Sequence, residues 1–270
     1  MAGVGRMDKK SDWVERAAAL IWESWQGGNV LSKLPDELRP RTRHEAYKIQ
    51  FQYAKYSQKP VFGWKIAATS AAGQAHIGVS GPIAGMLIGE MVFESETYLS
   101  VENNRMAVAE PEFAFRIGEP LMPRQKRYHQ DEVMSAVQDL YTAIEIPNSR
   151  FLNFEKVGDE QLIADNACGH EYIIGTAMPD IWRDTDLSKH KVSISTRSGT
   201  VNQGVGGNVL GDPRIALTWL VNELSQNEMA VDAGATITTG TCTVPIPIGV
   251  GDKVRADFGF LGSVAVSFRS

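Results

Sequence analysis

Three glutamates are the residues of this sequence whose types and spacing most clearly suit chemistry. Glu110 and Glu112 flank Pro111, and Glu145 interrupts the apolar run Tyr141-Thr-Ala-Ile-Glu-Ile146. In an extended backbone alternate side chains share one face, so Glu110 and Glu112 point the same way, and the proline disfavours a helix. Neighbouring carboxylates repel, so the cluster predicts a compensating divalent cation. Because no Cys or His joins the set, Mg²⁺ or Mn²⁺ is favoured over Zn²⁺.

A solvated strand face that happens to carry acids is the alternative reading, because Glu is usually exposed. Two observations weigh against it. Glu145 stands in a run of high β propensity, and apolar residues surround the other two acids. These apolar residues are Met106, Val108, Phe113, Phe115 and Ile117. An ionised carboxylate in such surroundings must be paired or must bind a metal.

Lys65 stands alone in an apolar run, between Trp64 and Ile66. Either its ammonium group reaches the protein surface, or it meets the carboxylates of the site. In the second case it could act as a catalytic acid or base.

Four further polar residues are candidates. Thr69 and Ser70 follow the lysine and could bind a substrate carboxylate, although they are equally well explained as turn residues. His76 is the histidine nearest to these residues in the sequence, and it has either a catalytic or a structural role. Cys168 could be a nucleophile, but neither Cys168 nor Cys242 fits a zinc pattern, and we interpret both as reduced and structural.

Composition excludes several classes of protein. The chain has 270 residues, of which 43% are hydrophobic and 22% charged, and its formal net charge is -5, so it resembles an ordinary globular protein. No basic face for nucleic acid is expected from this charge, and no stretch approaches the ~20 apolar residues of a membrane span. Because Met1 to Lys10 is polar, without an apolar signal core, we expect a cytoplasmic protein.

Hydrophobic periodicity predicts an α+β fold with two regions. Residues 1–58 form a helical N-terminal segment, with Ser11 and Thr42 as helix caps, and residues 59–270 form a β-rich catalytic domain. Two later helices are predicted, one over residues 131–140 with Asp131 as its cap and one opening at Asp212-Pro213. The remaining segments alternate like half-buried strands.

Several motifs, taken in order, resemble the 2-keto-4-pentenoate hydratase and 4-oxalocrotonate decarboxylase branch of the fumarylacetoacetate hydrolase superfamily. The resemblance runs from about Leu34 to the C-terminus, and the order and spacing of the motifs carry it. The motifs are Gly63-Trp-Lys-Ile66, Thr69-Ser70, Glu110-Pro-Glu112, Ala143-Ile-Glu-Ile146, Ser149-Arg150, Ile163-Ala-Asp-Asn-Ala167, Asn208-Val-Leu-Gly211, Ala216-Leu217, Trp219-Leu220 and Thr239-Gly-Thr241.

This resemblance implies a mixed β-roll fold and a divalent metal held by Glu110, Glu112 and Glu145. In the family a 2-oxo acid binds the metal through its carboxylate and 2-oxygen, and Lys65 matches the active-site lysine. We also expect a homo-oligomer. The residues implied to line the substrate site are Thr69, Ser70, Ile83, Asp165 and Thr241, with His76 as a further catalytic candidate.

Ile83 departs from the hydratase pattern, because hydratases of the branch carry an acidic residue just past the proline of this segment. Decarboxylases of the branch are apolar there, so hydration is in question. The Gly-Leu-Asn-Tyr motif of the hydrolase branch is also absent, which disfavours hydrolysis of a C–C bond, although His76 could serve a variant of it.

The sequence therefore predicts a metal-dependent lyase acting on a small 2-keto or 2-hydroxydienoic acid of aromatic catabolism, most simply a hydratase. The alternatives are a 2-oxo-3-enedioate decarboxylase and a C–C bond hydrolase of an acylpyruvate. A non-catalytic partner subunit is a rival of another class, but it would have no need to keep a costly cluster of like charges.

Overall fold

A computed structural model describes residues 9–270, with side chains from Trp13 onward. The N-terminal region is helical, as predicted, and consists of α1 (Lys9–Gln26), α2 (Arg43–Gln50) and α3 (Tyr53–Tyr56). Ser11 lies inside α1, so its prediction as the helix cap is wrong. The polar stretch predicted to lack a signal core lies mostly outside the described residues.

The capping box predicted at the start of α2 is partly present. Thr42 Oγ1 accepts the backbone N–H of Glu45 at 3.2 Å. The Glu45 carboxylate accepts the N–H of Arg41 at 2.8 Å instead of that of Thr42. Both contacts satisfy backbone donors near the first turn of the helix.

The other helices are short, except for the last. They are α4 (Ala71–Ile77), α5 (Gln130–Ser135), α6 (Asp159–Ala164) and α7 (Pro213–Gln226). Helix α7 begins as predicted, because the Asp212 side chain accepts the N–H of Arg214 at 2.7 Å. Residues 137–140, predicted as helix, are strand, and His129 rather than Asp131 caps α5. Pairing with a neighbouring strand overrides the local helical pattern there.

The described residues form thirteen strands. These are β1 (Gly63–Ala67), β2 (Ile83–Leu87), β3 (Val92–Glu94), β4 (Thr97–Ser100), β5 (Val108–Ile117), β6 (Val137–Ile146), β7 (Glu171–Ala177), β8 (Lys191–Thr196), β9 (Val201–Val205), β10 (Thr236–Thr241), β11 (Ile246–Pro247), β12 (Lys253–Asp257) and β13 (Ser263–Arg269).

Two mixed sheets result. The larger has the order β2-β1-β10-β5-β6-β7-β3, with β11 also pairing with β5, and the smaller has the order β4-β13-β12-β8-β9. Pairs β1–β10, β3–β7 and β4–β13 are parallel, whereas the other pairs are antiparallel. The predicted α+β architecture with a mixed sheet is confirmed.

Strand alternation divides the larger sheet into two faces. One face carries large apolar side chains such as Phe113 and Phe115 into the main core. There the ring centres of Phe113 and Phe258, a residue beside the smaller sheet, lie 5.0 Å apart. The N-terminal helices share this core through Ala17, Ile21 and Tyr47. The boundary proposed at residue 58 therefore separates types of secondary structure within one core, and as a domain division it stays a prediction.

Strand β2 is an edge of the larger sheet, and side chains cover its outward backbone groups. Tyr47 Oη accepts the N–H of Ala84 at 3.1 Å, and Gln50 donates to the carbonyl of Ala84 at 2.8 Å. Asn166 bonds both backbone groups of Met86, at 2.7 and 2.9 Å. Because every outward group at these two positions is paired, the edge is closed to further strand pairing.

Among the described residues, no helix is both long and apolar enough to cross a membrane.

Candidate active site

Strands β5 and β6 bring the three predicted glutamates together on the face of the larger sheet opposite the main core. Glu110 lies directly across from Glu145 in the antiparallel pair, and Glu112 is two residues further along β5. One carboxylate oxygen of each residue lies within 4.8 Å of the other two. We call the sheet face that carries Lys65, Glu110, Glu112 and Glu145 the carboxylate face.

Burial makes this cluster electrostatically costly. Glu112 and Glu145 are 0% and 1% exposed, and Glu110 is half-buried at the rim of the cluster. Burial, and then the charge of Glu145, raise the pKa of Glu110 to about 8. The pKa values of Glu112 and Glu145 are also raised, chiefly by burial. A cation would remove this cost, because an opposite charge favours the ionised form.

Among the described residues, three buried carboxylate oxygens of the cluster have no hydrogen-bond donor, Oε1 of Glu112 and both oxygens of Glu145, and of these Glu145 Oε1 is ion-paired with Lys65. The other oxygen of Glu112 is held by the Thr238 hydroxyl and by the backbone N–H of Gly240, the latter at 2.8 Å. Buried oxygens without donors are rare in folded proteins. This oxygen-only donor set fits a hard divalent cation.

Lys65 lies inside the cluster and does not reach the surface. Its side chain is 3% exposed, and Nζ lies 3.0 Å from Glu145 Oε1. Nζ also donates to the carbonyl oxygen of Ala167 at 3.0 Å. Burial lowers the pKa of Lys65, but the three glutamates, Glu145 first, raise it by more, so the ammonium stays charged.

The carbonyl that contacts Lys65 belongs to an unusual turn. Asn166, Ala167 and Cys168 have positive φ values of 57°, 51° and 59°. For residues with a side chain this left-handed conformation costs roughly 1–2 kcal/mol each, so the surrounding contacts must enforce it. We call these three residues the left-handed turn.

A buried ion pair stands beside this turn. Arg150 is 2% exposed and Asp165 is 0% exposed, with Nε of the arginine 2.5 Å from Oδ1 of the aspartate. Ser149 Oγ donates to the other oxygen of Asp165 at 2.6 Å. Asp165 is therefore committed to protein partners and shielded from solvent, which argues against its predicted role in substrate binding.

His76 and Ser70 are placed away from the chemistry predicted for them. His76 is exposed on α4, with its ring 6.1 Å from that of Phe154, and it does not join the acidic cluster. Ser70 is the N-cap of α4, where Oγ accepts the N–H of Gly73 at 3.0 Å. These positions agree with the structural alternatives for both residues.

The other predicted substrate residues lie around the site. Thr69 is buried against Gly240, since a side-chain carbon at Gly240 would lie 2.2 Å from Thr69 Oγ1. Thr241 pairs with Glu112 across the strands, and its hydroxyl donates to the carbonyl of Thr243 at 3.0 Å. Ile83 is fully buried and belongs to the same face of β1 and β2 as Lys65. Substrate binding by these three residues stays a prediction.

Sequence reasoning missed three residues of the site. Thr238 and Gly240 hold Glu112 through a bulge in β10, where the register with β5 shifts. Tyr172 lies across from Glu145, and its buried hydroxyl has no hydrogen-bond partner among the described residues. The Thr239-Gly-Thr241 motif signals the bulge, because glycine at a strand interior often marks one.

Cys168 and Cys242 are free and buried thiols, as expected for structural cysteines. Burial, with a contribution from Asp165, raises the pKa of Cys168 to about 12. A thiol with so high a pKa forms almost no thiolate at neutral pH, which agrees with a structural role for Cys168.

Known proteins match nearly the whole chain. It is 27% identical over 257 residues to 2-keto-4-pentenoate hydratase 1 of Dechloromonas aromatica, covering 94% of this chain and 96% of that protein. It is 30% identical over 207 residues to a 4-oxalocrotonate decarboxylase of Pseudomonas sp., covering 76% and 77%. The solved 4-oxalocrotonate decarboxylase from Pseudomonas putida G7, complexed with magnesium and adipate, superposes with a TM-score of 0.86 at 25% identity, over 98% of this chain and 100% of that chain. No family model matches the chain.

The chain therefore belongs to the 2-keto-4-pentenoate hydratase and 4-oxalocrotonate decarboxylase branch of the fumarylacetoacetate hydrolase superfamily, and it is an enzyme of this hydratase and decarboxylase type. The resemblance seen in the sequence is thus confirmed.

Proposed function

We propose that Glu110, Glu112 and Glu145 hold one Mg²⁺ or Mn²⁺ ion and that the enzyme acts on a 2-keto or 2-hydroxydienoic acid. The observation that carries this proposal is the convergence of three carboxylates, two of which keep an oxygen without a donor among the described residues. The magnesium and adipate in the related decarboxylase support a divalent ion next to a carboxylic acid ligand.

When bound, the ion would supply positive charge beside the substrate's carboxylate and 2-oxygen, where negative charge develops during the reaction. The protein residues have their own tasks. Thr238 and Gly240 orient Glu112, which leaves its Oε1 directed into the cluster. Because Glu112 and Glu145 are buried, bulk water is largely excluded from the reacting atoms.

Lys65 is the proposed proton donor and acceptor for the substrate's carbon chain. An ammonium group has three N–H donors, and Glu145 and Ala167 occupy two of them. The third is left for the substrate. The Thr69 hydroxyl, next to the segment that holds Glu112, is the proposed partner of a substrate carboxylate.

Hydration is the family-level activity that we propose, and decarboxylation is the alternative that Ile83 favours. Ile83 is fully buried on the same side of β1 and β2 as Lys65. An apolar side chain there cannot activate water as a carboxylate could. Release of CO₂ requires no such water.

Two substrates separate these activities. The enzyme with Mn²⁺ is incubated with 2-hydroxypenta-2,4-dienoate, following the dienol absorbance, and with 2-oxo-3-hexenedioate, following CO₂. Loss of the dienol without CO₂ from the second substrate identifies a hydratase, and the reverse identifies a decarboxylase. The Glu112→Gln variant is the control in both assays. Turnover of neither substrate would contradict the proposed substrate class.

We also infer a homo-oligomer from the carboxylate face. An apolar cluster on this face, formed by Leu87, Ala114, Ala143 and Tyr172, is bordered by partly exposed apolar side chains. These are Phe62, Val92, Tyr141 and Ile174. Light scattering of the purified protein at micromolar concentration measures the oligomeric state, and a monomer would contradict the inference.

A cytoplasmic location is inferred from the two free, buried cysteines, because oxidising compartments favour disulfides. Cell fractionation with an antibody to the protein tests it, and recovery outside the cytoplasm would overturn it.

A further inference from the structure

The contact between Lys65 and Ala167 joins the active-site lysine to a part of the chain about a hundred residues away. The carbonyl of Ala167 is a neutral acceptor, so it fixes the position of the ammonium group without adding charge to the site. If this carbonyl moved, Lys65 would keep only its ion pair with Glu145. The position of Nζ therefore depends on what holds the left-handed turn.

Arg150 bridges the two residues that flank this turn. Its guanidinium donates to the carbonyl of Asp165 just before the turn and to the carbonyl of Gly169 just after it, the latter at 2.9 Å. Nε binds the Asp165 carboxylate at 2.5 Å, and that carboxylate also accepts the N–H of Arg150 at 3.0 Å. One side chain thus fixes both ends of the turn.

Two other features leave the turn no room to relax. Asn166 is bonded to both backbone groups of Met86 on β2. The neighbouring Gly85 lies opposite Lys65, and a side-chain carbon there would lie 2.4 Å from the carbonyl oxygen of Asn166 and 3.0 Å from Lys65 Cδ. The turn and the lysine are therefore packed over a position that only glycine can occupy.

Both partners of the pair are shielded from solvent, which favours a role exerted through the protein over direct contact with a substrate. Asp165 is 0% exposed, and the Arg150 guanidinium lies 4.4 Å from the ring of Trp25 on α1. The hydrogen bonds of Arg150 go to backbone carbonyls and to Asp165. A buried ion pair contributes little net stability on average. Positioning of the left-handed turn therefore explains the Arg150–Asp165 pair better than stabilisation of the fold does.

We propose that the buried Arg150–Asp165 pair stabilises the left-handed turn and thereby holds the Lys65 ammonium group in the position required for catalysis. This inference rests on the proposed role of Lys65, and it adds two positioning residues that touch neither metal nor substrate.

The test is a double-mutant cycle between Arg150 and Lys65. We compare Arg150→Met, Lys65→Ala and the double variant, using whichever of the two substrates above is turned over. Titration calorimetry with Mn²⁺ counts intact sites, so that kcat is expressed per metal-binding site. Arg214→Met is the matched control, because Arg214 is also largely buried and donates to the carbonyls of Trp182 and Thr185.

We expect Arg150→Met to lower kcat about 10- to 100-fold, with KM and Mn²⁺ affinity changed less than about 3-fold. In the Lys65→Ala background the same substitution should change kcat less than about 3-fold, because the group being positioned is gone. Arg214→Met should leave kcat near that of the wild type. Equal losses in both backgrounds, or wild-type kcat in Arg150→Met, would overturn the proposal.

Arg150→Met leaves a buried carboxylate unpaired and could prevent folding, so Ser149→Ala is the second variant. It removes the hydroxyl that donates to Asp165 and accepts the backbone N–H of Phe151, and it leaves the Arg150–Asp165 pair in place. A several-fold loss of kcat that disappears in the Lys65→Ala background supports the proposal, and unchanged kcat overturns it.

The outcome for Lys65→Ala alone separates the two hypotheses. Wild-type turnover in that variant refutes the proposed function of the lysine. If neither substrate is turned over, crystal structures of the Arg150 and Ser149 variants decide: an unchanged distance from Lys65 Nζ to the Ala167 oxygen overturns the positioning role, and a displaced amine supports it.

Discussion

At the scale of single residues, the site is a balance of buried charges. Three carboxylates face one ammonium group, which leaves an excess of negative charge when all four are ionised. This excess negative charge is neutralised either by protons, as the raised pKa values of the glutamates indicate, or by a bound cation. Substitutions within the cluster separate these contributions.

Glu112→Gln should abolish Mn²⁺ binding while leaving the fold intact. The amide keeps an oxygen for Thr238 and Gly240 but removes the charge that a cation needs. The metal-free variant should be more stable than the metal-free wild type, by about 1–3 kcal/mol, because a desolvated like charge is gone. Titration calorimetry with Mn²⁺ measures the binding, and urea unfolding in EDTA measures the stability of the metal-free proteins. Glu94→Gln, at an exposed acid on β3, is the control, and undiminished Mn²⁺ affinity in Glu112→Gln would refute the metal site.

Lys65→Ala should lower kcat about 10²- to 10⁴-fold, the usual contribution of a general acid or base. Lys65→Arg should keep the ion pair with Glu145 and cost little stability by comparison. Steady-state kinetics at saturating Mn²⁺ measure the first effect, and urea unfolding measures the second. Lys55→Ala, at an exposed lysine, should behave as wild type. Full activity of Lys65→Ala would assign the lysine a structural role only.

At the scale of the elements, the bulge in β10 connects backbone geometry to the metal site. Gly240 has a φ of 104°, and its N–H reaches Glu112 only because the register with β5 shifts at this point. Thr69 approaches the same glycine from the segment that follows β1. The bulge therefore links β1, β5 and β10 at one position.

Gly240→Ala should lower both stability and metal affinity. Strain at the positive φ costs roughly 1–3 kcal/mol, and overlap with Thr69 adds about 1–3 kcal/mol. Displacing a group that orients a metal ligand typically weakens metal binding about 10- to 100-fold. Gly234→Ala is a matched control, because Gly234 has a φ of 86° and no atom within 4 Å of the added carbon. Equal behaviour of the two variants in urea unfolding and calorimetry would contradict the prediction.

At the scale of the whole molecule, α1 is joined to the β-rich body through His170. Trp25 Nε1 donates to Nδ1 of His170 at 2.8 Å. Burial, and then the nearby charge of Arg150, lower the pKa of His170 to about 3. The folded protein therefore keeps this histidine neutral, whereas the unfolded chain protonates it near pH 6.5.

The contribution of His170 to stability should consequently fall as the pH drops from 6.5 towards 3, because the unfolded state binds the additional proton, whereas the glutamates with raised pKa values contribute in the opposite direction. At pH 4.5 the effect amounts to about 2–3 kcal/mol relative to pH 7, from a shift of about two pH units at 1.36 kcal/mol each. His170→Gln keeps an acceptor for Trp25 and should lose this dependence. Urea unfolding of both proteins at the two pH values measures it, with exposed His44→Gln as control. Parallel curves for wild type and His170→Gln would contradict the assignment.

Sequence alone determined the chemistry that is local along the chain. Alternation in a strand puts Glu110 and Glu112 on one face, and the proline between them excludes a helix, so the acidic pair could be predicted without a fold. The start of α7 also follows from neighbouring residues, because Asp212 and Pro213 stand where a helix cap and a first helical residue are favoured. Glu145 and Lys65 stand out as charged residues within apolar runs, and the family resemblance implied their roles through motifs in a fixed order.

Tertiary structure alone decided which distant residues meet. The register of β5 on β6 puts Glu110 opposite Glu145, and no local pattern encodes that register. Asp165 lies within a recognised motif, yet Arg150 and Ser149 enclose its carboxylate. Helix α5 ends before the predicted residue 140, because pairing with β5 draws residues 137–140 into a strand. In each case the deciding contact joins residues far apart in sequence, and its energy depends on packing that only the folded chain creates.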